Sequence, residues 1–126
     1  KKTLYNLGKK NGYTVYPNKE KMEGEWLFDL CWANEGKNWQ TDFKGLKLAC
    51  EIEWSKNIDE IIYDFQKLTV IDTDIRLMIF QFNKEDEFNE FITAIETASN
   101  YTKTKGYNYL IAASGNNENE IRLIDL

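Results

Sequence analysis

The chain has 126 residues, with 21 acids against 16 bases, a net charge of −5 and no histidine. That balance argues against whole-surface attraction to nucleic acid or anionic membrane, but leaves room for a local basic patch or an acidic site neutralised by metal. Without histidine there is no Ser–His or Cys–His catalysis and no histidine-bearing zinc site, so any chemistry rests on carboxylates, lysine, tyrosine or a hard cation.

The length suits a single domain over residues 1–126. Cys31 and Cys50 both fall in apolar runs and read as buried free thiols in a reducing, cytoplasmic setting. No apolar run approaches the ~20 residues needed to span a bilayer, so no membrane partner is expected.

Taken in chain order, "KKTLYNLGKKN" (1–11) predicts a short helix ending at Asn11-Gly12, and Tyr13 to Tyr16 a brief strand closed by Pro17. "GEWLFDLCWA" (24–33) is dense in aromatic and aliphatic residues and reads as a central strand. Residues 34–45 read as a loop carrying Trp39, and "LKLACEIEW" (46–54) as the next strand, joined antiparallel to the last. Asn57 can cap a helix, with Glu60 completing a capping-box pattern. Ile58, Ile61, Ile62, Phe65 and Leu68 form its apolar stripe. A strand at 75–82 and an amphipathic helix at 84–100 follow. Two last strands, 108–114 and 120–125, flank the turn "SGNNEN". The order α-β-β-β-α-β-α-β-β predicts an α/β (α+β) fold with a mixed central sheet flanked by helices.

Alternation along the strand at 46–54 puts Leu46, Leu48, Cys50, Ile52 and Trp54 on one face and Lys47, Ala49, Glu51 and Glu53 on the other. In the preceding strand Trp26, Phe28, Leu30 and Trp32 share a face, and Asp29 interrupts the opposite, apolar one. Antiparallel pairing with Asp29 opposite Glu51 sets Cys31 against Ala49 and brings Asp29, Glu51 and Glu53 to one patch. Three carboxylates that close raise one another's pKa, and a divalent cation would relieve the repulsion. The competing expectation is a solvated, alternating strand face with no chemistry.

An acid on the second core strand, then Glu-x-Glu on the third, then a helix and a fourth strand, resembles the PD-(D/E)XK, restriction-endonuclease-like nuclease superfamily. Its α-β-β-β-α-β core corresponds to about residues 1–82; the helix at 84–100 and the last two strands are additions. The resemblance implies a Mg²⁺- or Mn²⁺-dependent DNA phosphodiester hydrolase, with Asp29 and Glu51 as metal ligands. Glu53, in the family's lysine position, would hold a second metal or take the water's proton. In other members the lysine lies on the following helix; here "DFQKL" offers Lys67, about 150° from the centre of the apolar stripe and therefore expected in solvent. Gln66 is the expected secondary polar contact, and Glu25 a further carboxylate. Lys44, Lys47 and Lys56 are candidates for phosphate contacts, and Trp39 for base stacking. The resemblance also accommodates a homodimer. The alternative function is a catalytically inactive nuclease-fold domain acting in protein interaction or as an accessory module.

Overall fold

The computed structural model describes residues 1–17, 26–38, 40–103, 105–115 and 121–126, with the side chain of Lys103 left aside. The nine elements are α1 (Lys2–Lys10), β1 (Thr14–Tyr16), β2 (Leu30–Glu35), β3 (Phe43–Glu53), α2 (Ile58–Thr69), β4 (Thr73–Gln81), α3 (Glu85–Lys103), β5 (Tyr109–Ser114) and β6 (Ile121–Asp125). Their order is the predicted one. The strands form one sheet in sequence order, β1 to β6. Pairing is antiparallel for β1–β2, β2–β3 and β5–β6, and parallel for β3–β4 and β4–β5. The α-β-β-β-α-β core with a mixed central sheet is therefore present, extended by α3, β5 and β6.

The two parallel pairings need crossovers, supplied by α2 and α3. Both helices pack on one face of the sheet, as connections of one hand require when the sheet grows in one direction. Ile61, Phe65 and Leu68 of α2 and Phe88, Phe91 and Ile95 of α3 close over Ala49, Met78, Phe80 and Ile111. On the opposite face Leu4 and Tyr5 of α1 pack against Val15, Leu30, Trp32, Leu48 and Cys50. Gly8 lets α1 approach: a Cβ there would lie 2.6 Å from Trp32 Nε1 and 2.7 Å from Val15 Cγ2. Both cysteines are free and buried, as expected. Among the described residues no helix is long and apolar enough to cross a membrane.

Two boundaries differ from expectation, and both differences shape the site. The first concerns the strand predicted at 24–33: β2 begins only at Leu30, and Glu25 lies outside the described residues. Leu27 adopts φ 104, a conformation that costs a β-sheet residue its regular path. Residues 27–29 form a bend instead of strand. Phe28 packs in the core beneath α2 and α3, while Leu30 and Trp32 pack on the α1 side, so the predicted common face of Phe28, Leu30 and Trp32 is broken.

The second concerns β3, which starts at Phe43 rather than 46 and pairs with β2 through two irregularities. Cys31 faces Ala49 as expected, but Ala33 faces Leu46 and Glu35 faces Phe43. Each irregularity inserts one residue into β3, the effect of a β-bulge. Gly45, at φ 102, sits within the second. Leu46 therefore joins Ala49 on the helix-covered face instead of sharing a face with Leu48 and Cys50. Trp54 falls beyond β3 and is exposed.

Candidate active site

Glu51 is an acid on a strand with neighbours on both sides, and it is buried, with 2% of its surface exposed. It lies near the C-terminal end of β3, across from Met78 of the parallel strand β4. Pairing puts it on the same face as Ala49, beneath α2. The carboxyl ends of parallel strands are where open α/β sheets bind ligands.

The local fold explains how Asp29 comes to the same place. β2 begins at Leu30, opposite Cys50, so the β3 backbone beyond Cys50 has no β2 partner on that side. The Asp29 side chain takes over: its Oδ2 accepts from the Ile52 amide at 2.8 Å, and its Oδ1 pairs with Lys1 Nζ at 2.7 Å. A short acid at a strand end can mimic a missing backbone acceptor in this way. Asp29 is thus anchored just ahead of β2 rather than within it, close enough for its charge to push the Glu51 carboxyl up.

Glu53 takes a different role. Its Oε1 accepts from the Ser55 amide at 2.6 Å, which secures the turn from β3 into α2. Asn57 then caps α2, accepting from the Asp59 amide at 2.9 Å. Among the described residues no three acids or cysteines converge closely enough to hold a metal ion. The predicted three-carboxylate cluster of Asp29, Glu51 and Glu53 is therefore not assembled: the turn amide holds the Glu53 carboxylate, and β3 and Lys1 hold that of Asp29.

Lys67 occupies the position that the sequence reading gave to solvent. Its Nζ lies 3.1 Å from Glu51 Oε1 and 2.7 Å from Asp64 Oδ1. The angular argument placed the Cα correctly but ignored reach. In a helix the Cα–Cβ bond tilts toward the N-terminus, and a lysine stem lies along apolar surface while its head seeks charge. From the last turn of α2 that tilt leads back toward the end of β3. Gln66, the expected polar contact, is exposed on α2. "DFQKL" carried the signal in another form, because Asp64 and Lys67 are an i,i+3 pair.

The electrostatics follow from burial. Loss of solvent pushes the Glu51 carboxyl up from 4.5 to about 7; Lys67 opposes the rise, and Asp64 and Asp29 add to it. Burial works against the Lys67 ammonium, but bonding to Asp64 and Glu51 outweighs it and holds its pKa above the usual lysine value. Lys67 is accordingly a fixed positive charge. Burial, with Glu51 nearby, also pushes the Cys31 thiol up to about 12, which keeps it un-ionised and inert.

A hard cation suits part of this donor set. Glu51 Oε1 is buried with the Lys67 ammonium 3.1 Å away, and the Asp29 oxygens, engaged by Lys1 and the Ile52 amide, would have to be shared with a cation. Mg²⁺ commonly takes one or two carboxylates and completes its shell with water and phosphate oxygens. Of the lysines expected to meet phosphate, Lys47 is tied to Asp74 Oδ2 at 2.6 Å and Lys56 to Asn83 Oδ1 at 2.6 Å, while Lys44 is exposed. Trp39 lies outside the described residues. Compared with known proteins, the chain matches no family model, no curated protein and no solved structure at a significant level.

Proposed function

We propose that the protein is a divalent-metal-dependent DNA phosphodiester hydrolase of the restriction-endonuclease-like type. The observation that carries this reading is the buried Glu51 of β3 in contact with Lys67 of the following helix, at 3.1 Å, beside Asp29. A buried acid with a raised pKa, next to a fixed cation at the carboxyl end of parallel strands, supports the reading of a functional site.

In this proposal Asp29 and Glu51 would hold Mg²⁺ or Mn²⁺. Such an ion, if bound there, would supply polarisation of a phosphoryl oxygen and a lowered pKa of water. The chain's own groups do the rest. Lys67, permanently charged, stabilises the negative charge that builds on the phosphate oxygens as water adds to phosphorus. Asp64 fixes the ammonium in place as a positioning residue. Glu53, on the same face and less buried than Glu51, would accept the proton of the attacking water through Oε2, its Oε1 being held by the Ser55 amide. The new P–O bond forms from water, the P–O bond to the leaving sugar oxygen breaks, and that oxygen takes a proton from solvent. Lys67 thus replaces Gln66 among the working residues.

The test is plasmid nicking with Mg²⁺ or Mn²⁺, comparing the parent with Glu51→Gln, Lys67→Ala and Asp29→Asn. Each variant is expected to lose at least 100-fold in rate, and nicking equal to the parent would overturn the assignment. A second reading, a nuclease fold retained as an interaction module, draws on the internal neutralisation of Glu51 by Lys67. It predicts no nicking and no change in melting temperature at millimolar Mg²⁺ or Mn²⁺.

A further inference from the structure

The two bulges of β3 have an effect at its other end. Because Glu35 faces Phe43, Ala33 faces Leu46 and Cys31 faces Ala49, the Phe43 side chain emerges on the same face of the sheet as Glu51. Tyr16 of β1 faces Cys31 and belongs to that face as well. Its hydroxyl donates to Glu35 Oε1 at 2.9 Å. Trp26 lies over this row, 5.1 Å from the Tyr16 ring and tilted by 34°, and 5.8 Å from Phe43 edge to face. The cluster is built from three rings but not closed: Trp26 remains 40% exposed and Phe43 44% exposed.

Such a cluster invites a flat, apolar guest, and the charges beside it say which kind. Lys44 adjoins Phe43, and Lys37 sits in the same β2–β3 hairpin. Both are exposed, and neither has an ion pair among the described residues. The acids of the hairpin are engaged as acceptors instead: Glu35 from Tyr16, and Asp42 from the Asn38 amide at 3.2 Å and the Thr41 hydroxyl at 3.1 Å. Exposed rings with unpaired lysines in the same hairpin match a nucleobase joined to a phosphodiester. Stacking of this kind suits any base and is open only to bases out of the duplex.

We propose that Trp26 and Phe43 form a stacking platform for unpaired nucleobases of a DNA strand, with Lys37 and Lys44 meeting its phosphates. This rests on the nuclease reading for its choice of DNA, and it defines the substrate as one with a single-stranded segment. Trp26 lies three residues before Asp29, so the two Cα atoms are at most about 11 Å apart, and Phe43, opposite Glu35, extends the platform away from Asp29 along β2.

The experiment measures binding of a fluorescein-labelled 16-nucleotide single strand and of a blunt 16-base-pair duplex, by anisotropy in EDTA. Omitting metal separates this proposal from hydrolysis, so failure of nicking leaves it intact and its failure leaves nicking intact. The parent is expected to bind the single strand more tightly than the duplex. Trp26→Leu and Phe43→Leu keep apolar bulk but remove the ring, and each should weaken single-strand binding about tenfold with little effect on the duplex. Circular dichroism and the urea midpoint identify any variant that fails to fold, in which case Lys44→Glu, fully on the surface, provides the measurement. Equal affinity for the two DNA forms, or ring-less variants and Lys44→Glu that bind as the parent does, would overturn the proposal.

Discussion

Replacing Glu51 by glutamine tests the physical account of the site without any substrate. Burial raises the Glu51 carboxyl from 4.5 to about 7. That gap corresponds to about 3 kcal/mol of preference for the protonated form in the folded state. The contribution is fully present below pH ~4.5, declines as pH rises, and is gone above pH ~7, where the folded state must hold an ionised carboxylate. Glutamine keeps the shape and carries no charge at any pH. In EDTA at pH 8, Glu51→Gln is therefore expected to be more stable than the parent by about 2–3 kcal/mol, on the order of 10 °C in melting temperature. At pH 4.5 the two should agree to within about 0.5 kcal/mol. Urea denaturation at the two pH values reads this directly. If the variant were less stable at pH 8, Lys67 would be stabilising the carboxylate more than burial opposes it, and the reasoning would fail. An equal difference at both pH values would point to packing rather than charge.

Lys67→Met removes the cation facing Glu51 and should destabilise the protein by about 1–3 kcal/mol at pH 8 but far less at pH 4.5, where the carboxyl is protonated. The same urea titrations check it, and a pH-independent loss would argue against the pair. Gly8→Ala normally helps a helix by up to about 1 kcal/mol, yet here the added methyl meets Trp32 and Val15 at under 3 Å. A net loss of about 1–3 kcal/mol in urea is expected, and a gain would mean that α1 is free to shift. Asn57→Ala removes the cap on the Asp59 amide and should cost about 1 kcal/mol by the same measurement. Arg76→Ala empties a buried position where the guanidinium lies 3.6 Å from the Tyr107 ring centre and donates to the Ile71 carbonyl at 2.8 Å, and a loss of about 2–4 kcal/mol is expected.

The element order was legible because the elements that define it carry strong local signals. The apolar stripe of α2 and the Asn57 cap, the Phe88–Ile95 stripe of α3, and the apolar run through 46–54 each specify one element without help from the rest. What escaped were features set by tertiary geometry. A regular strand predicts that Phe28 and Leu30 share a face, and the bend over residues 27–29 breaks that pattern. The β3 bulges likewise leave no periodic trace, since two inserted residues make 43, 46 and 49 face the same way at a spacing of three. Glycine at position 45 was the one local hint.

Lys67 shows why a helical wheel is a poor guide to long cationic side chains. The wheel assigns a direction to the Cα, and at 37% exposure the Lys67 side chain does stand at the border between core and solvent. What decides its contact is the buried charge within reach. An ionised Glu51 alone under α2 would carry a desolvation cost of several kcal/mol, and a nearby ammonium with a flexible stem offsets part of it at little expense in packing. The incomplete offset is informative, because the Glu51 pKa remains raised even with Lys67 in contact. A glutamine at position 51 would avoid that cost, and a leucine would fill the space with no charge at all. The chain instead keeps a carboxylate, a lysine and Asp64 in line, beside an Asp29 held by the next residue of the same strand. That arrangement favours a site whose charge is used by something that binds there, and the comparison of Glu51→Gln in stability and in nicking separates the two: gain in the first with loss in the second is the expected signature.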